Sequence, residues 1–379
     1  MPMESARLPL IGEHFEIESW RDDLRGGVSK VTDLSRLGLI NEEQARQLEV
    51  LASQFKVRVS RYYLSLIDWT DPGCPIRRQA IPTLGELESM PVEMPDPTGD
   101  QRFRATPLLI HRYPDRVLLT PTLNCPMYCR YCFRKVGLNE KAPSFAKHWK
   151  QTLSYLSDHP QIEEVILSGG DPLLLPNRQL FEILSELRQQ PNLKRIRIHS
   201  RVPVTLPSRV TSALCEIFRE HEPILLVTHF NHPRELTDFA KEKLRQLRAA
   251  GVVLSNQSVL LKGVNDCPKT LRDLCVSLLT EGAIPHYVHH PDLTIGTHHF
   301  RISLDEGLQI YQTLRGTTSG LAIPTYVMEI PGGGGKVVVD GADVVRRSEG
   351  VWCLRSPMNG EWVTWHDPIH TDVQREDCQ

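Results

Sequence analysis

Residues Arg116 to Lys135 read "RVLLTPTLNCPMYCRYCFRK". The first half is a short apolar run, the pattern of a buried strand. Directly behind it come three cysteines, Cys125, Cys129 and Cys132, spaced C-x3-C-x2-C. A structural zinc site takes four ligands and a disulfide takes two, so three thiols call for another explanation. The order of strand first and cysteines second also carries the fold. It puts a reactive cluster at the C-terminal end of a strand, where barrels of alternating strands and helices build their active sites.

Downstream the same texture recurs. Apolar runs ending in polar residues appear as "EEVILSGGD", "KRIRIHSR", "PILLVTHFN", "VVLSNQSVL" and "PHYVHHPD". Between them lie stretches with helical spacing, among them "NRQLFEILSELRQQ", "RELTDFAKEKLRQLRAAG" and "SLDEGLQIYQTLRG". Strand and helix alternate about six times, which argues for parallel βαβ units. The strand runs are rich in Val, Ile and Leu, as strands covered on both faces are. Groups able to bind something end nearly every strand, which favours a barrel over a doubly wound sheet with one switch point. The fold expected is α/β, a partial (β/α)6 barrel over residues 106–300. A helical N-terminal region and linker precede it over 1–105, and a β-rich C-terminal region follows over 301–379. Within the first region "NEEQARQLEVLASQF" has Asn41 as a helix cap with acids in the first turn. "MPVEMPDPTGDQRFRATP" reads as a linker or extended arm.

The 379 residues carry 44 basic and 46 acidic side chains, so no basic field points to nucleic acid. No apolar run approaches a membrane span, and the start "MPMESARLPL" lacks a signal-peptide pattern. A cytoplasmic protein with neither nucleic-acid nor membrane partner is expected. Nine cysteines, scattered except for the one cluster, make a poor disulfide framework. Three thiolates can hold three irons of a [4Fe–4S] cluster and leave the fourth iron open, whereas electron-transfer clusters generally use four cysteines. The alternative is a zinc ion completed by a remote histidine.

A second motif, "EIPGGGGKVVV", sets Gly332 to Gly335 and Lys336 ahead of a strand. A P-loop would need a preceding strand, a following helix and Ser or Thr after the lysine, and Val337 stands there instead. The glycines give a flexible approach, free of Cβ atoms, that can carry a lysine amine into a site. Schiff-base formation with pyridoxal phosphate (PLP) is one chemical use of such an amine, and a solvated lysine on a surface hairpin is the other reading. In "HRYPDRVLL", Arg112 and Arg116 could grip a phosphate and Tyr113 could lie against a ring.

The cysteine spacing at the end of the first barrel strand, with Tyr131 before the third cysteine and "SGGD" one strand later, resembles the radical S-adenosylmethionine (SAM) superfamily. With "YYLSLID", "RRQAIPT", "HRYPDRVLL", "THFNHP", "NQSVLLKGVND", "LRGTTSG" and "PGGGGK", the chain resembles the lysine 2,3-aminomutase family over most of its length. The resemblance implies a [4Fe–4S] cluster on Cys125, Cys129 and Cys132, with SAM on the open iron. It implies PLP on Lys336 with Arg112, Tyr113 and Arg116 around it. Tyr131, Gly169, Gly170, Asp171, Arg201, Asn256 and Gln257 fall where the family lines its SAM pocket. Arg134 falls where the substrate carboxylate is held.

In the family two positions read the distal end of the substrate, here Asp292 and Glu329. Two buried carboxylates without a cation repel, so the pair favours a cationic side chain and disfavours glutamate. The expected activity is a 2,3-aminomutase on L-lysine. The alternatives are arginine or another cationic amino acid, and, outside enzymes, an iron–sulfur sensor. Cys267 matches a position that in the family supports a structural zinc together with a C-terminal cysteine cluster, but the very end of the chain has only Cys378, so no such zinc is expected. Further expectations are a reductase or flavodoxin-type electron donor and a homo-oligomer.

Overall fold

A computed structural model describes residues 19–367. Cys378 lies outside the described residues. Ten strands form one sheet in strict chain order. β1 (Arg104–Thr106) and β2 (Leu109–Tyr113) are an antiparallel hairpin on β3 (Arg116–Thr122). β4 (Glu164–Gly169), β5 (Arg195–His199), β6 (Ile224–Thr228), β7 (Val253–Val259), β8 (Ile284–His289) and β9 (Thr325–Ile330) continue it in parallel. β10 (Gly335–Val338) turns back antiparallel on β9. Six parallel strands, β3 to β8, match the six apolar runs of the sequence. β9 adds a seventh and brings the lysine strand β10 into the main sheet. β11 (Val344–Ser348), β12 (Val351–Arg355) and β13 (Trp362–His366) form a separate antiparallel sheet. It touches the glycine run, where the Ser356 hydroxyl donates to the Gly334 carbonyl at 2.7 Å.

The local reasons are ordinary. Helix Glu42–Gln54 starts at Asn41, whose Oδ1 accepts from the Gln44 N–H at 2.8 Å while Gln44 Oε1 accepts from the Asn41 N–H. That capping box is worth about 1 kcal/mol. Its buried residues, Ala45, Leu48 and Leu51, fall three apart on one face. β4 is buried along five of its six residues, as a strand covered on both faces should be.

The helical region packs on the sheet. Val28, Leu34, Tyr63 and Ile76 belong to the same apolar core as Val165, Ile196 and Leu226 of the sheet. Each such side chain contributes about 1.5–3 kcal/mol when fully buried. A second core joins Leu271 and Val288 to Ile310, Tyr326, Val337, Trp352 and Trp365. Apolar packing therefore crosses both boundaries drawn from sequence, near 105 and 300. The stretch 90–107, read as a linker or extended arm, packs as an arm. Pro97, Thr98 and Gly99 are buried against the glycine run, and the Gly332 N–H donates to the Pro97 carbonyl at 2.9 Å.

Candidate functional site

The cysteine loop leaves the C-terminal end of β3 and is held from three sides. The end of β4 is the first. A Cβ on Gly170 would lie 2.5 Å from the Asn124 carbonyl oxygen, and Gly169 has φ +97°. Hydrogen bonds from Gly170 N–H to the Thr122 carbonyl and from Asp171 N–H to the Asn124 carbonyl, both 2.8 Å, complete the contact. Here the glycine pair admits the backbone of the cysteine loop itself. Asp171 accepts from the Ser200 hydroxyl at 2.7 Å and the Arg201 N–H at 2.8 Å. Burial pushes its carboxyl up to about 6.

Arg201 is the second hold. Its guanidinium donates to Cys129 Sγ at 2.9 Å, to Glu235 Oε1 at 2.7 Å, to Gln79 Oε1 at 2.6 Å and to the His229 carbonyl at 3.0 Å. Asn256 is likewise engaged by the chain, accepting from the Thr228 hydroxyl and the Phe230 N–H and donating to Ser258. Arg201 thus lies against Cys129, while Asn256 ties β7 to the end of β6. Gln257 is half-buried on β7.

The third hold comes from the helical region. Glu86, fully buried, binds Arg130 through two bonds of 3.0 and 2.5 Å and also binds Lys135. Arg58 donates to the Cys125 carbonyl at 3.2 Å.

This donor set suits a metal cluster. Burial raises Cys125 and Cys132, the latter to about 11, and the neighbouring cysteines add to the rise. Thiolates gathered in this way need positive charge beside them, which the irons of a cluster would supply. Among the described residues no three His, Cys, Asp or Glu side chains are grouped to hold a single metal ion.

The lysine set assembles across the sheet's open edges, between the β2–β3 hairpin and the β9–β10 pair. Lys336 on β10 stands opposite Glu329 on β9, with Nζ 2.9 Å from the carboxylate. From the β2–β3 hairpin, Arg112 reaches the same carboxylate at 3.2 Å, and the Tyr113 hydroxyl accepts from the Lys336 N–H at 3.3 Å. The guanidinium of Arg116 lies 3.8 Å from the Tyr113 ring centroid. All four residues expected around PLP are thus together, and two guanidiniums, a phenol ring and a primary amine fit a phosphorylated aromatic aldehyde. The glycine run is packed rather than flexible, since a Cβ on Gly333 would meet the Phe103 ring at 2.5 Å.

Asp292 follows β8 and lines a small crevice with Pro97, His290, Glu329, Pro331 and Trp365. Burial, then the charge of Glu329, pushes its carboxyl up to about 7. Burial acts the same way on Glu329, but Lys336 and Arg112 outweigh it and hold that carboxyl below its usual range. The two carboxylates divide as two buried acids must, one ionised and one near neutrality.

Between the two sets the barrel interior holds residues that the sequence reading passed over. His199, His229 and His289 stand at the ends of β5, β6 and β8. Burial keeps all three imidazoles neutral, and the positive charge of Lys336 works the same way on His199 and His289. Nε2 of His199 and of His289 is buried and has no partner among the described residues. His229 Nε2 is 3.0 Å from the Tyr131 hydroxyl, which ties this row to the cysteine loop. The available signal was position, since each histidine ends a strand run. Asp100 was missed for another reason. It sits in the supposed linker, yet accepts from Arg134 Nε at 2.8 Å.

Comparison with known proteins agrees with this geometry. The Radical SAM superfamily profile matches residues 119–275, and the Lysine-2,3-aminomutase profile matches 311–378. The chain is 38% identical over 352 residues to the L-lysine 2,3-aminomutase of Clostridium subterminale, covering 93% of this chain and 84% of that one. It is 40% identical over 336 residues to the L-lysine 2,3-aminomutase of Methanococcus maripaludis, covering 87% and 78%. It is also 34% identical over 362 residues to the glutamate 2,3-aminomutase of Clostridioides difficile, covering 94% and 85%. A radical SAM domain and this likeness along nearly the whole chain lead to one conclusion: the chain is an isomerase that belongs to the lysine 2,3-aminomutase family.

Proposed function

We propose that the protein moves the α-amino group of L-lysine to C3, using PLP on Lys336 beside the cluster and SAM. The relatives include lysine and glutamate enzymes, so kinship alone leaves the substrate open. The observation that carries the reading is the charge around Glu329. Two carboxylates, Glu329 and Asp292, face two cations, Lys336 and Arg112. An amine engaged with a carbonyl group gives up its ammonium charge, and Arg112 beside a phosphate is drawn from Glu329. Two carboxylates then lack a cation, and a substrate ammonium between them supplies one. A glutamate side chain would add a third negative charge.

When bound, the cluster and SAM supply a carbon radical that takes a hydrogen atom, and PLP supplies the carbonyl that carries the migrating nitrogen. The chain does the rest. Arg112 and Arg116 would hold the phosphate with Tyr113 beside them, Arg134 would hold the substrate carboxylate, and Asp292 with Glu329 would hold the distal ammonium. With both ends of the substrate fixed, C3 is turned toward the barrel interior, where the three histidines exclude bulk water. Holding the reactants in this way removes much of the entropic part of the barrier.

The test is anaerobic incubation of the reconstituted protein with SAM, PLP and reductant, offering lysine, arginine, ornithine and glutamate separately. β-Lysine is the expected product, detected by mass spectrometry. Turnover of glutamate alone would sink the reading, and preference for arginine would move it to the other cationic substrate. Lys336→Ala should keep the iron and lose both PLP absorbance and turnover. A non-enzymatic sensor would be indifferent to that change.

A further inference from the structure

The stretch 96–103 is a strap that touches both ends of the candidate substrate site. Asp96 folds it, since its carboxylate accepts from the Asp100 and Gln101 N–H groups at 2.9 Å each. From this turn the Thr98 carbonyl accepts from Arg112 Nη1 at 3.0 Å, and Asp100 Oδ2 accepts from Arg134 Nε at 2.8 Å. The strap is seated on the glycine run, because a Cβ on Gly99 would lie 2.9 Å from the Gly332 carbonyl oxygen. Arg134 belongs to the cysteine loop, Arg112 to β2 and Gly332 to the turn before Lys336. One turn of chain thus connects the three parts that must be in register.

Asp100 and Arg134 are both mostly buried, with side-chain exposures of 18% and 17%. A guanidinium has five N–H donors in a fixed fork. Asp100 takes Nε, and Ser168 Oγ lies 3.4 Å from Nη1. Among the described residues Nη2 has no hydrogen-bond partner. The fork is pinned on one side and open on the other.

We propose that Asp100 is a positioning residue that fixes the Arg134 guanidinium so that its open edge presents to the α-carboxylate of the substrate. This rests on the assignment of Arg134 to that carboxylate. Asp100 gives up some of the positive charge available to the substrate and in return removes the rotational freedom of a long side chain. A loosened Arg134 would bind the carboxylate in several geometries, only some of which aim C3 correctly.

The experiment is anaerobic calorimetric titration of the PLP-loaded full chain with L-lysine and with 1,5-diaminopentane, which is lysine without its carboxylate. In Asp100→Ala the Kd for lysine should rise about tenfold or more, the usual cost of removing a supporting partner. The Kd for the diamine should change by less than about twofold. Asp100→Asn keeps the shape and an acceptor oxygen, so it should recover part of the loss, and melting temperatures of both variants report on folding. Tighter lysine binding in Asp100→Ala would make Asp100 a competitor of the substrate and overturn the proposal. Equal loss for lysine and diamine would overturn it too, since the effect would then be a general disturbance. Arg134→Gln separates the underlying assignment. If that variant keeps the native preference for lysine over the diamine, Arg134 does not hold the carboxylate, whatever Asp100 does.

Discussion

Glu329 and Lys336 are cross-strand partners in the β9–β10 pair, and their charged groups meet at 2.9 Å. The amine expected to carry a cofactor therefore rests against a carboxylate expected to read the substrate. A change in the charge of one alters what the other needs.

Glu329→Gln should accordingly weaken lysine binding more than it weakens PLP retention. Removing one member of a buried charged pair costs about 2–5 kcal/mol, which corresponds to KM rising at least about thirtyfold. Steady-state kinetics on lysine, with PLP content measured by absorbance, checks this. Loss of PLP with unchanged lysine KM would contradict it.

Asp292 should make stability depend on pH. Its carboxyl is raised to about 7 in the folded chain and is near 3.8 when unfolded. The folded state then binds the proton more tightly, so the contribution favours folding at low pH and is lost as pH rises through about 7. Asp292→Asn removes the ionisation. Its melting temperature in the absence of ligands should exceed that of the native chain at pH 8, and the difference should shrink toward pH 5. An advantage that does not vary with pH would rule out this origin.

Gly170→Ala tests the contact between β4 and the cysteine loop. A methyl group 2.5 Å from a backbone carbonyl forces one chain or the other to move. Overpacking of this kind costs about 1–3 kcal/mol. Iron bound per chain after reconstitution should fall with the melting temperature, because the loop that must shift carries the ligands.

Glu86→Gln should be the most damaging of these changes to the fold. It leaves Arg130 and Lys135 buried without a counter-charge, at a cost of about 3–5 kcal/mol. Burial, partly offset by Glu86, already brings Lys135 down to about 8. Denaturant unfolding and faster hydrogen exchange across 125–135 are the measurements. An unchanged unfolding midpoint would show that Glu86 is not the anchor of that loop.

Much of the molecule was legible in the chain. Six apolar runs alternating with helical stretches gave the parallel strands, of which β4 is buried along nearly its whole length while β5 and β7 bury every second residue. The cysteines, the glycine-lysine run and the paired arginines were visible as motifs, because each needs its residues close together in sequence. The resemblance then assigned roles to positions such as Arg134, Asp292 and Glu329.

What the chain did not show depends on residues far apart meeting in space. Asp100 looked like linker because proline, glycine and aspartate mark turns wherever they occur. Only the packing of Gly99 on Gly332 puts it beside Arg134. The histidines at the ends of β5, β6 and β8 are single residues with no spacing pattern, and the barrel interior gathers them. Glu86 gave no sign of holding Arg130 and Lys135. Local sequence dictates elements and short motifs because their physics is local. Which charge faces which is settled by side chains brought together from distant segments, and that only the tertiary structure decides.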